Sequence, residues 1–427
     1  MHRRFWRAAL SIAVAAIGSV GAVVGLEAVA GPKTPSPAPA SIMSVSRSGI
    51  ANSYDDALAR LDNRLADALA RTAERPGEWL NLEAAARLYL ARAKLTGSFD
   101  DYNQAQITVR RAFAVARPGV GPHMTQALVD FAVHRLGATS RSLDKIDGYA
   151  VPLLGEEKAE LTALRGDLQF YSGKYDAALE LYGEADRLSP GSSSFRMAVY
   201  HSKMGDYVKA DEYLKQILAT KPNAAPQSRA FIELHRGILK LDQGQLDGAL
   251  GHFHKANAAF PGYWLIEEHI AEVLTLKGRT AQAEGLYRRI VVRTGHPEFM
   301  DALANIAATR GQQATEQHWR RRAVGEWQRR LLLFPEAAYG HALDHCLEKR
   351  DRDCALKLAR RNHSARPYGD AKLKLAEALI LGGYTNEAEK LFDEVTRSGW
   401  SRRQIILARE PVRGAGPRPS THVRFAG

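Results

Sequence analysis

From Ala159 onward one phrase returns every 32 to 39 residues, and it limits what this chain can become. Gly173-Lys174-Tyr175-Asp176-Ala177-Ala178, Gly205-Asp206-Tyr207-Val208-Lys209-Ala210 and Gly244-Gln245-Leu246-Asp247-Gly248-Ala249 are three copies. Gly278-Arg279-Thr280-Ala281-Gln282-Ala283 and Gly383-Tyr384-Thr385-Asn386-Glu387-Ala388 are two more. Each copy joins two apolar runs of helical period, and several runs close on a proline: Pro190, Pro222 and Pro261. A fixed period of this length marks stacked helix pairs, because one pair cannot bury its apolar face alone. The expected fold is all-α, an α-solenoid wound as a right-handed superhelix of antiparallel helix pairs. It spans 54–400 and repeats most clearly over 159–293.

The N-terminus reads as a targeting element. His2, Arg3, Arg4 and Arg7 precede an apolar stretch of 19 residues, Ala8 to Leu26, and no acidic residue appears before Glu27. As a helix that stretch reaches roughly 28 Å, just enough for a bilayer. Ala28-Val29-Ala30 also fits the small-x-small pattern of a signal-peptidase site. Residues 1–30 are therefore either a cleaved signal or a retained inner-membrane anchor, and both place the remainder in a periplasm. Arg3-Arg4 as a twin-arginine signal, a mitochondrial transit peptide and a Gly21-x-x-x-Gly25 dimer contact are weaker readings. Residues 31–53, with Pro32, Pro35, Pro37 and Pro39, form an extended spacer. Residues 401–427, with Pro411, Pro417 and Pro419, read as a basic, disordered tail.

Within the repeats, small residues occupy the first helix of each unit at Gly166, Ala198, Gly237, Ala271, Ala304 and Ala376. Facing alanines occupy the second: Ala178, Ala210, Ala249, Ala283 and Ala388. Helix backbones approach closely only where side chains are small. One turn later stands a bulky residue, Tyr182, Leu214, Phe253, Tyr287 or Phe392, expected to plug against the next unit. Turn glycines at Gly173, Gly205, Gly244, Gly278, Gly311 and Gly383 suit helix ends. In these residues the chain resembles the tetratricopeptide repeat (TPR) family, over about 76–400. Two units depart from the pattern. One has a long second helix, Gln313 to Leu333; the other replaces its turn glycine with Arg350-Asp351-Arg352.

The resemblance implies a non-catalytic scaffold that holds peptides or protein surfaces in a concave groove. With the family's geometry, exposed groove residues would be Arg196, His235, His269, Glu272, Asn305, His341, Asp344 and Lys374. The regular Lys and Asn pairs that clamp a chaperone's terminal carboxylate are missing, so that ligand is not transferred. A groove for a small molecule, glycan or anionic lipid is the alternative.

Catalytic motifs are missing: no phosphate-binding loop, no Gly-x-Ser-x-Gly, no His-Glu-x-x-His and no Cys-x-x-Cys. No cofactor and no metal are expected. His269-x-x-Glu272 and His341-x-x-Asp344 pair ligand types, but they lie two repeats apart and two ligands hold zinc poorly. The net charge of +12 concentrates late, with Arg320, Arg321, Arg322, Arg329 and Arg330 as a basic surface. Such a surface suits anionic lipid or an acidic partner. Trp319 and Trp327 flank Ala323 at a spacing of four, which fits core packing better than base stacking. An exported protein meets little nucleic acid, and none is expected as a partner. Cys346 and Cys354 flank one turn; they are either a disulfide or small buried residues.

Overall fold

The computed structural model describes residues 50–117, 119–149, 152–220 and 223–413, with side chains up to residue 409. The expected signal or anchor, nearly all of the spacer and residues 414–427 lie outside the described residues. No described helix is long and apolar enough to cross a membrane.

Helix α1 (Tyr54–Glu74) opens the fold, its N-terminus capped by Ser53, whose hydroxyl accepts from Asp56 N–H. Among the described residues, nine antiparallel pairs follow. They are α2/α3 (Trp79–Thr96, Phe99–Val115), α4/α5 (His123–Ala132, Leu136–Asp147) and α6/α7 (Gly155–Tyr171, Tyr175–Leu188). Next come α8/α9 (Ser194–Lys203, Tyr207–Thr220), α10/α11 (Pro226–Asp242, Leu246–Ala259) and α12/α13 (Trp264–Leu276, Thr280–Thr294). The last are α14/α15 (Pro297–Thr309, Gln313–Leu333), α16/α17 (Pro335–Lys349, Arg352–Ala365) and α18/α19 (Gly369–Gly382, Thr385–Arg397). A single helix α20 (Arg402–Arg413) is the last one described. Helical structure thus continues past residue 400, where the sequence suggests a tail. Trp400, Ile405 and Ala408 are buried and cap the apolar end of the last pair.

The small residues work as their positions require. A Cβ on Gly166 would lie 2.6 Å from the Tyr182 ring, and one on Gly237 would lie 2.3 Å from Phe253. These aromatics therefore pack over the glycine of their own unit, which differs from the expected plug against the next one. Phe253 does both, since its ring also stacks on His269 of the following unit at 5.2 Å. The glycine-free turn keeps the same backbone path: Arg350 adopts φ +57° where Gly173 has +76°. A left-handed conformation costs a residue with a side chain about 1–2 kcal/mol. The Cys346–Cys354 disulfide spans this turn, with the Cα atoms 5.7 Å apart.

Successive pairs alone would leave a coil with an open axis. Here the coil closes on itself, through hydrogen bonds between residues 167 to 229 positions apart. Along one seam, Tyr54 N–H donates to Pro261 O at 3.0 Å, and Trp264 Nε1–H to Leu95 O at 2.9 Å. Arg329 bonds Asp100 at 2.7 Å, and Phe99 meets Phe334. Along the other, Lys203 donates to Asp370 at 2.7 Å, Gly369 N–H to Tyr175 Oη at 2.8 Å, and Ser401 N–H to Lys203 O at 2.9 Å. Phe170, Tyr171, Tyr175, Tyr368 and Trp400 fill that seam as one aromatic cluster. Burying rings of this size is the strongest available drive for closure.

Candidate functional site

The first helix of each pair faces the axis of the coil. Two positions in its register recur there. Two residues before the small residue stand Arg196 on α8, His235 on α10, His269 on α12 and Lys374 on α18. One residue after it stand Asp167 on α6, Glu272 on α12 and Asn305 on α14. These positions are three apart, so they share a helical face. Stacking turns that face into a ladder of charged and polar groups running through the interior.

The rungs pair between neighbouring units. Arg196 donates to Asp167 at 2.9 Å and to Glu160 at 2.9 Å, while the Tyr182 hydroxyl bonds the same Asp167 carboxylate. Lys374 is ion-paired with Asp344. Asn305 donates to Glu348 at 3.1 Å and accepts from Arg320 at 3.0 Å. His341 lies 3.8 Å from Glu298 with its ring parallel to Trp327. His235 is held between Phe195 and Phe231, ring centroids 4.6 and 4.3 Å away, and its Nε2 has no hydrogen-bond partner.

The expected exposure of these residues is corrected. Arg196, His235, His269, Glu272, Asn305 and Lys374 are buried, and His341 and Asp344 are half-buried. The cause is closure of the coil, which takes the inner face out of solvent. Burial raises Asp167 to about 6 against the pull of Arg196, lowers His235 to about 3 and lowers His341 to about 4. A low dielectric disfavours the charged form of each group, which gives these directions.

One rung stands apart. Glu268, His269 and Glu272 on α12 offer ligand atoms all within 4.8 Å of one another, and all three residues are buried. Among the described residues no lysine or arginine is ion-paired with them. Burial lifts Glu268 to about 8 and Glu272 well above its ordinary value, and it lowers His269. His269 and Glu272 are visible as a pair in the sequence. Glu268 is not, because neighbouring residues on a helix ordinarily diverge by about 100°.

The basic surface is also corrected. Arg330 is buried, with its guanidinium 4.7 Å over Phe99 and paired with Glu298 and Glu326. Arg329 holds Glu326 and Asp100, and Arg320 holds Glu316 and Asn305. Arg321 and Arg322 are exposed, the latter 4.9 Å over the Trp319 ring. Trp319 and Trp327 are buried, and Trp327 Nε1–H donates to Asp301.

Antiparallel pairs of about one period each, small residues at the intrapair contact and glycine turns between them decide the fold. This chain is a TPR-like α-solenoid. No protein-family model matches it, and no curated protein does. Among solved structures it is similar to a Rap protein complexed with competence and sporulation factor, at 15% identity. That match covers 76% of this chain and 99% of the other, with a TM-score of 0.46. Yeast Tom70 aligns at 15% identity over 85% and 87% of the two chains, TM-score 0.37. A thermophilic TPR protein in Thermus thermophilus aligns at 19% identity over 52% and 99%, TM-score 0.30. With superposition this loose, the fold assignment of the solenoid rests on its own helix pairing.

Proposed function

We propose that this TPR-like chain is a non-catalytic interaction scaffold that takes a peptide or protein segment into its interior when a seam opens. The observation that carries the reading is the buried ladder. The helix pairs are held together by small and apolar contacts, so building the solenoid does not require Arg196, Asp167, Asp344 or Lys374 inside. Buried ion pairs add little to stability over apolar side chains of similar volume. Their value is as a rigid row of donors and acceptors that a charged segment can engage by exchanging partners. The Rap structure contains a bound factor.

The N-terminal pattern supports export to a bacterial periplasm, with or without an inner-membrane anchor, and hence envelope proteins as partners. Anionic lipid is less favoured, because Arg320, Arg329 and Arg330 already have carboxylate or amide partners. The alternative of a small molecule or glycan uses the same interior.

A reversible lock tests the reading. An ideal Cβ on Gly205 lies 3.7 Å from Ser401 Cβ, within the ~3.5–4.5 Å that a disulfide needs, and the left-handed backbone there, φ +82°, costs a side chain about 1–2 kcal/mol. The Gly205→Cys/Ser401→Cys variant, oxidised, should lose the partners that the wild type captures by crosslinking in its own cells. Reduction should restore them. Capture that ignores the lock would move binding to the outer face, and a wild type that captures nothing would overturn the scaffold.

A further inference from the structure

The paired and unpaired rungs differ at one identifiable position. Asp167 is met from the next unit by Arg196, two residues before Ala198. Asp344 is met by Lys374, two residues before Ala376. For Glu272 the corresponding residue, two before Ala304 on α14, is Ala302. Among the described residues, the α12 rung therefore holds two buried carboxyls with no lysine or arginine to meet them.

The ligand atoms there all lie within 4.8 Å of one another, and two of their three spacings match a coordination sphere. His269 Nδ1 lies 3.3 Å from Glu268 Oε2 and 3.3 Å from Glu272 Oε2. Two ligand atoms held ~2.0–2.1 Å from a tetrahedral ion sit roughly 3.3–3.4 Å apart. A charge-assisted hydrogen bond would sit nearer ~2.7–2.9 Å. Nδ1 has at most one proton to share between the two carboxylates. Glu268 Oε2, Glu272 Oε1 and His269 Nε2 all lack a hydrogen-bond partner while buried. Polar groups enclosed without partners are costly, and a cation is what the two carboxylates among them lack.

We propose that Glu268, His269 and Glu272 hold one divalent transition-metal ion, zinc by ligand type, inside the closed coil. Imidazole and carboxylate together suit zinc, and a dication cancels the charge of two carboxylates. Stacking on Phe253, ring centroids 5.2 Å apart at 16°, fixes the imidazole plane before any ion arrives. Three side chains from one helix leave the fourth position to a water molecule. The site does the work of the cation missing at Ala302. It is independent of whether a peptide enters the interior.

The experiment uses the full-length chain, freed of metal by a chelator and titrated with zinc chloride by calorimetry. Cobalt(II) serves as a spectroscopic probe of coordination. The expected result is one equivalent bound with a tetrahedral cobalt spectrum, and a loss of at least tenfold in affinity in Glu272→Gln. Ala302→Arg should have the same effect by supplying the absent cation, without touching a ligand. Circular dichroism checks that both variants stay folded. Binding should survive His254→Ala/His318→Ala, which removes exposed imidazoles. Failure to bind zinc, or equal binding by Glu272→Gln and Ala302→Arg, would overturn the site and leave two protonated carboxyls in its place.

Discussion

Asp167 and Glu272 hold the same register in the first helices of two units, both buried and both facing the axis, yet their situations are opposite. Asp167 accepts from Arg196 and from the Tyr182 hydroxyl, so its charge is met within hydrogen-bond distance. Glu272 has His269 at 3.3 Å, a second carboxyl nearby, and Ala302 where a cation would have to come from. Burial raises both groups, but Arg196 restrains the shift at Asp167 and nothing restrains it at Glu272. The repeat dictates where an inner residue points. The neighbouring unit dictates whether its charge can survive there.

The largest expected effect comes from breaking the balanced rung. Arg196→Ala leaves Asp167 as an enclosed charge without its cation and should cost about 3–5 kcal/mol in chemical denaturation. Adding Asp167→Asn should recover part of that loss. Strict additivity of the two changes would show that the rung is not coupled.

A smaller effect is the pH response of the unbalanced rung in metal-free protein. Glu268 titrates near 8 when folded and near 4.3 when unfolded, so its stabilising contribution is complete below the lower value and lost as pH rises to the upper one. His235 and His341 work in the opposite sense, because folding keeps them neutral. Their contribution is present above about 6.5 and lost as pH falls below it. Above pH 6.5 these histidines no longer change charge, and the slope belongs to the carboxyls that burial raises, Glu268 together with Glu272 and Glu348. Glu268 by itself should lower stability by about 1.5 kcal/mol between pH 6.5 and 8, because the slope of about 1.36 kcal/mol per pH unit tapers as the folded value is reached. Urea denaturation at the two pH values checks this. Glu268→Gln should make the slope shallower, and a slope that persists unchanged would assign it to Glu272 or Glu348.

The inner rungs can be set against the outer surface for the smallest effect. Arg321→Ala/Arg322→Ala removes two exposed guanidiniums and one contact over Trp319, so stability should change by within about 0.5–1 kcal/mol. A larger loss in thermal denaturation would mean that the outer helices carry more of the fold than their exposure suggests.

Much of the array was legible because its determinants are local. Gly166 facing Ala178, Gly237 facing Ala249, and the long helix Gln313–Leu333 follow from contacts within about one period. Trp319 and Trp327 were assigned to the core from a spacing of four. The ladder was legible as a set of residues and misread as a surface, since nothing within one unit indicates whether the axis stays open. Tyr182 was misplaced for a related reason: its ring fills the space left by Gly166 in its own unit, and sequence spacing does not show which neighbour a ring leans on. Glu268 was overlooked because helical wheel position sets it apart from His269, whereas a long flexible side chain can bring its carboxylate back.

By itself the sequence determined the helix pairs, the turns and the small-residue contacts, because period, glycine and side-chain size act over tens of residues. Only the tertiary structure decided that the coil closes, that Lys203 meets Asp370 and that Trp264 meets Leu95. Closure depends on the small rotation between successive pairs, accumulated over a whole superhelical turn. Slight differences in packing at each joint add up along the array, and they decide whether the same inner residues line a groove or fill a core.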